Sequence, residues 1–180
     1  MTAFRANRTA TIISLLLLLT FAMNASGAAD TQIDVKGAVE KPAKWTAASL
    51  HKQFAAEIKS IEFTSRGQKH TASCIALSSI LHAAGADTQM KMGPEVSPAM
   101  KNHALRLAVV VSSYDGYTAC FSLAELMPDF GNTVAWVALD SDGKPFSEGD
   151  GHVRVIVPTD KKPARSVRDV QTIEVVDVSK

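Results

Sequence analysis

A valine-rich run from Leu105 to Val111, apolar except for Arg106, constrains the fold of this chain more than any other feature. A nearly continuous apolar segment of this length is typical of a strand that is buried on both faces, so it predicts the interior of a sheet. The turn signal Asp115-Gly116 follows this run, and the segment from Tyr117 to Phe121 then predicts a second strand. We therefore expect a core built around a sheet.

Short apolar segments separated by turn residues recur along the rest of the chain. Helical spacing occurs in residues 47–58, with Thr46 as the N-cap, and in residues 75–84, which Gly85 ends. The pattern predicts roughly six or seven short strands with two or three short helices, an α+β, β-rich single domain. The further strands are predicted at 32–39, 61–64, 134–139, 153–157 and 172–176.

The first 29 residues are predicted to be a secretory signal peptide rather than part of the domain. Arg5 and Arg8 precede an apolar run from Thr11 to Met23, and small residues follow at 25–29. The alternative is a membrane anchor, but the run is shorter than the roughly 20 residues that span a bilayer. We expect a mature domain of residues 30–180 that is periplasmic and not embedded in the membrane.

Charge and cysteine content narrow the classes of function. Lys and Arg total 19 and Asp and Glu total 18, so no basic excess favours nucleic acid as a partner. Cys74 and Cys120 belong to no Cys-x-x-Cys motif and to no Cys/His cluster with zinc spacing. In an oxidising compartment they could form a disulfide, or each could be a small buried apolar residue, and both alternatives stay open.

Six segments follow one another along the chain: IDVKGAVEKPAKWTAASL, CIALSSILHAAGA, DGYTACFSLAEL, VAWVALDSDGKPF, GHVRVIVP and ARSVRDVQTIEVVD. Taken together and in this order, they resemble the oxidoreductase molybdopterin-binding family, whose members include sulfite oxidase. The resemblance covers nearly all of the chain after the signal peptide. It implies a sulfite-oxidase-type fold, with a mixed curved sheet and a pterin pocket formed by loops.

The resemblance also implies which residues contact a pterin or its phosphate. The family's contacts fall on an arginine in the strand of GHVRVIVP and on the basic loop after it, whereas Lys161 and Lys162 are interpreted as surface residues. Guanidinium groups suit a phosphate, and polar groups at a strand end suit the pterin edge. The predicted pterin-binding residues are Arg66, His70, Ser112, Asp115, Tyr117, Arg154, Ser166 and Arg168.

The family's molybdenum-ligating cysteine is missing from this sequence. The equivalent segment, residues 61–67, holds no cysteine, although Glu62 and Ser65 are possible hard ligands. We therefore predict that the protein binds a pterin without a metal ion and acts as a ligand sensor rather than as an enzyme. Its partner would be the periplasmic domain of a membrane signalling protein that controls cyclic-di-GMP. The alternatives are a molybdopterin-dependent oxidoreductase with an atypical ligand, and a ligand-free scaffold.

Overall fold

The computed structural model describes residues 31–88, 93–98, 100–146 and 151–179. The predicted signal peptide lies outside these residues and stays a prediction. Within the described ranges, no helix is both long enough and apolar enough to cross a membrane.

Strands outnumber helices in the described residues. The strands are β1 (Ile33–Gly37), β2 (Ala43–Trp45), β3 (Lys59–Ser65), β4 (Gln68–Ala76), β5 (Leu107–Ser113), β6 (Thr118–Ser122), β7 (Trp136–Ala138), β8 (Arg154–Ile156) and β9 (Val170–Asp177). The α-helices are α1 (Ala47–Gln53) and α2 (Leu77–Ala83), and short 3₁₀ helices span His103–Arg106, Ala124–Leu126 and Pro163–Arg165. This content is α+β with an excess of strand, as the sequence predicts.

The strands form two sheets around one main core. The first sheet has the order β2-β1-β9-β5-β6 and the second has the order β3-β4-β7-β8. Only the β1–β9 pair is parallel among the described strand pairs. Val109 and Ile173 of the first sheet are fully buried in the same apolar cluster as Val137 and Val155 of the second. Burial of this shared cluster is the main stabilising contribution that the described residues show.

The segment between β8 and β9 connects the two sheets, and backbone hydrogen bonds to β8 and its preceding residue fix its C-terminal end. Val155 and Val167 exchange two backbone hydrogen bonds, of 2.8 and 2.9 Å, and the N–H of Val170 donates to the carbonyl of Val153 at 3.0 Å. Residues 167–170 therefore run antiparallel to β8 before they enter the first sheet as β9. This pairing fixes the end of the basic loop, residues 158–168.

The local capping signals are confirmed. Thr46 caps α1 in a reciprocal box: its hydroxyl accepts from the N–H of Ser49 at 3.1 Å, and the Ser49 hydroxyl accepts from the N–H of Thr46 at 2.8 Å. Gly85 follows α2 with a positive φ of 75°, a conformation that glycine adopts without a Cβ clash.

Two predictions about segments are corrected. The apolar run starts its strand at Leu107, because Leu105 lies in the preceding 3₁₀ helix and is 49% exposed. Residues alternate between buried and half-buried along β5, so one face of this strand borders solvent. Ile75 and Ala76, predicted as helical, are the last two residues of the long strand β4. The polar sequence of residues 68–74 does not predict this strand.

Candidate functional site

An open cleft of about 570 Å³ lies between the β3–β4 hairpin and the basic loop. A volume of this size is typical of small-molecule sites. Most of the charged side chains in the described lining are basic: five are basic, and two, Glu62 and Asp160, are acidic. The basic side chains are Arg66, Lys69, Arg154, Lys161 and Arg168.

The hairpin turn carries one of these cations. Ser65 pairs with Gln68 across a two-residue connection, in which Arg66 has φ 52° and Gly67 has φ 79°. A two-residue type I′ turn requires positive φ at both central residues, and glycine supplies the second at little cost. This turn places Arg66 at the edge of the cleft.

The cleft also has an apolar and aromatic part. Phe63 and Ile156 line it and belong to a small buried cluster on one face of the second sheet. Arg154, on β8, is only 5% exposed, and its guanidinium carbon lies 4.7 Å from the centre of the Phe146 ring. A guanidinium at this distance from an aromatic face is attracted by the ring. The cleft therefore combines an apolar surface with a buried, oriented cation.

Arg165 holds the basic loop in place from outside the cleft. Its Nε and Nη2 donate to the two carboxylate oxygens of Asp160 at 2.9 and 2.7 Å, and its Nη1 donates to Glu125 at 3.1 Å. The guanidinium carbon lies 5.2 Å from the centre of the Phe121 ring. The hydrogen bonds that Arg165 donates to Asp160 lower the pKa of Asp160 and raise the pKa of Arg165. Asp160 is therefore ionised and paired at neutral pH.

Four of the eight predicted pterin-binding residues line this cleft: Arg66, Arg154, Ser166 and Arg168. They come from three separate segments of the chain, so tertiary folding, and not proximity in the sequence, brings them together. The Ser166 hydroxyl accepts a hydrogen bond from the N–H of Val157 at 3.4 Å, which joins the two arms of the basic loop.

The other four predicted residues do not line the cleft. His70 packs against Phe63, with ring centres 5.5 Å apart, while its Nδ1 lies 2.8 Å from an Asp142 oxygen. The Ser112 hydroxyl, on the first sheet, accepts from the hydroxyl of Thr118 at 3.4 Å.

The remaining pair lies in the β5–β6 turn. The carboxylate of Asp115 accepts from the N–H of Tyr117 at 2.9 Å, and this bond lowers the pKa of Asp115. The hydroxyl of Tyr117 donates to the carbonyl of Ala164 in the basic loop. Tyr117 thus contacts the loop that borders the cleft rather than the cleft itself.

Sequence reasoning missed several groups at the cleft. Lys161, interpreted above as a surface residue, lines it, whereas its neighbour Lys162 does not. Lys69 and Phe63 also line it, from β4 and β3. Phe63 pairs with His70 and Lys69 pairs with Thr64, so the two residues lie on opposite faces of the hairpin and period-2 spacing does not group them. Nothing in the sequence distinguishes Lys161 from Lys162.

The cysteines are both free and differ in environment. Cys74 is buried and Cys120 is exposed, so the interpretation of Cys120 as a buried residue is wrong. Burial, with a smaller contribution from Asp140, raises the pKa of the Cys74 thiol to about 12. Cys74 is therefore protonated at neutral pH, which is unfavourable for a thiolate ligand.

The described donor set suits an organic cofactor better than a thiolate-bound metal. Cations, hydroxyl groups and an apolar surface would accommodate a pterin with an anionic tail, but the described lining contains no thiol. Glu62 and Ser65 line the cleft, yet no group of three or more His, Cys, Asp or Glu among the described residues is arranged to hold a metal ion.

Thiol labelling of the folded protein is expected to modify about one of the two cysteines, because a buried protonated thiol reacts slowly. Mass spectrometry after alkylation at pH 8 should locate the label on Cys120, and Cys120→Ser should remove it. Rapid labelling of Cys74 in the folded chain would contradict the environment described for that thiol.

The described strands and helices form an α+β, β-rich fold, and a structural similarity confirms the predicted sulfite-oxidase-type fold class. The structure is similar to that of the sulfane dehydrogenase SoxCD from Paracoccus pantotrophus, with a TM-score of 0.53 and 16% sequence identity. The match covers 82% of this chain and 38% of the SoxCD chain. No family model and no curated protein matches the sequence. At this identity, the similarity concerns the fold alone.

Proposed function

We propose that this protein binds a pterin with an anionic tail, of the molybdopterin type, in the cleft between the β3–β4 hairpin and the basic loop. The observation that carries the proposal is the convergence of Arg66, Arg154, Ser166 and Arg168 on one cleft. The family resemblance implies the same four residues independently of this geometry.

The chemistry of the lining suits such a ligand. The flat ring would lie on the apolar surface around Phe63 and Ile156, with its edge hydrogen-bonded by hydroxyl groups. One guanidinium group donates two parallel hydrogen bonds to phosphate oxygens. Arg66 or Arg168 would therefore bind a phosphate more tightly than a lysine at the same position. The described lining holds no thiol to bind molybdenum, which favours ligand binding over oxygen-atom transfer.

We further propose that the protein acts as a periplasmic ligand sensor for a membrane signalling partner linked to cyclic-di-GMP. This role requires that the ligand binds the docking-competent state more tightly than the other state. Pterin-loaded and stripped protein should therefore differ in affinity for the partner's periplasmic domain. Equal affinities of the loaded and the stripped protein for this domain would contradict the sensor role but not the binding of a pterin.

Arg168→Ala is expected to weaken pterin binding about tenfold, because an exposed charge-assisted hydrogen bond contributes on the order of 1–1.5 kcal/mol. The matched control is Lys162→Ala, which removes an exposed cation of the same loop that does not line the cleft. We expect this control to change affinity less than about twofold, and neither variant to change the melting temperature. The measurement is a fluorescence titration with a reduced pterin. Equal effects of the two substitutions would exclude the cleft as the binding site.

A further inference from the structure

We propose that Arg165 determines the selectivity of the cleft for an anionic ligand, because it neutralises Asp160 from outside the cleft. This inference rests on the proposed function and assigns a selectivity role to a residue that does not line the site. Asp160 lines the cleft, whereas Arg165 is absent from the described lining.

The geometry of the pair supports this role. Both carboxylate oxygens of Asp160 accept from the Arg165 guanidinium, at 2.9 and 2.7 Å, in the two-bond arrangement that is strongest for this pair of groups. Glu125 occupies a third donor of the same guanidinium at 3.1 Å. The Phe121 ring, 5.2 Å from the guanidinium carbon, supports it. Arg165 is therefore held in one orientation by three different elements.

The charge of the lining explains why this pairing matters. With Asp160 neutralised, the anion Glu62 remains against the five cations of the described lining. The Debye length is ~8 Å at physiological ionic strength, so a charge closer than this to a bound anion is screened incompletely by salt. An unpaired Asp160 carboxylate, next in sequence to Lys161, would oppose the cations where a phosphate would bind.

Substitution of Arg165 could change binding through the charge of Asp160 or through the position of the basic loop, and the two effects can be distinguished. Arg165 also stabilises the 3₁₀ helix Pro163–Arg165, which the hydroxyl of Tyr117 anchors independently through the Ala164 carbonyl. Tyr117→Phe weakens this anchoring without altering any charge, so it is the matched control. Loss of positioning alone would weaken all ligands similarly, whereas loss of neutralisation would weaken anionic ligands selectively.

The test compares dihydroneopterin with dihydroneopterin monophosphate, two pterins that differ by one phosphate, by titration calorimetry on the full-length purified protein. We expect the wild type to prefer the phosphorylated pterin. Arg165→Met is expected to weaken the phosphorylated pterin about tenfold and the other less than about threefold. Tyr117→Phe is expected to weaken both equally. Arg165→Lys, which keeps the cation, should retain most of the preference.

The decisive variant is the double substitution Asp160→Asn with Arg165→Met. It removes both charges, so it should restore most of the preference that Arg165→Met loses. No recovery, or an equal loss of both ligands in Arg165→Met, would overturn the proposal. A wild type that binds both pterins without preference would also overturn it, while the proposed function would stand. A wild type that binds neither would instead contradict the proposed function.

Discussion

Arg154→Met is expected to lower pterin affinity about 100-fold, the largest effect on binding of any single substitution that we propose. Arg154 is 5% exposed, and its guanidinium lies over the ring of Phe146. A buried, oriented charge makes a stronger hydrogen bond to an anionic or polar ligand than an exposed one, worth roughly 1.5–3 kcal/mol. Methionine keeps most of the side-chain volume, so the change removes the charge without leaving a large cavity.

The conservative control is Arg154→Lys, which keeps the charge but loses the planar fork. We expect it to recover part of the affinity, because lysine contacts a phosphate through a single ammonium group. The binding titration should be paired with urea denaturation, which reports any loss of stability separately. Unchanged affinity in a folded Arg154→Met protein would show that this residue has only a structural role.

Gly37→Ala is expected to cause the largest loss of stability, about 3–5 kcal/mol, which corresponds to a fall in melting temperature on the order of 10 °C. Gly37 has φ 91°, and an added Cβ would lie 2.1 Å from the carbonyl oxygen of Val175. That oxygen accepts a hydrogen bond from the N–H of Ala38 at 2.7 Å. The methyl group would therefore displace the β1 end from β9, the central strand of the first sheet.

Gly116→Ala is the matched control for this substitution. Gly116 has a similar φ of 87°, but no atom lies within 4 Å of an added Cβ. It therefore isolates the cost of the left-handed backbone conformation, about 1–2 kcal/mol for an alanine. Thermal unfolding of both variants measures the difference. Equal losses would show that the approach of Gly37 to Val175 is not as close as described.

Features determined by local sequence could be predicted. The turn at Arg66 and Gly67 follows from glycine's freedom at positive φ, and the Thr46 cap follows from side-chain chemistry three residues along the chain. Strand β4 could not be predicted, because its first residues are polar and it is a strand through its pairing with β3. The helix predicted from residue 75 therefore begins two residues later, at Leu77.

The candidate site was predictable only in part, for a related reason. Arg154 and Arg168 were identified through the family resemblance, whereas the role of Lys161 depends on how the basic loop turns over the cleft. The contact between Arg165 and Glu125 joins residues 40 positions apart, so no local pattern reveals it. The hydroxyl of Tyr117 donates to the carbonyl of Ala164, 47 positions along the chain, a contact that no local pattern predicts. Long-range contacts of this kind arise from tertiary packing.

The central claim is that the protein binds a pterin without molybdenum, and one sample tests it most directly. Protein purified from a host that makes the cofactor would be analysed for molybdenum by elemental analysis and for pterin by fluorescence after oxidation. We predict about one pterin per chain without stoichiometric molybdenum, because the described cleft offers no thiolate. About one molybdenum per chain would contradict the account and indicate an oxidoreductase with an unrecognised ligand, and the absence of pterin would contradict it equally.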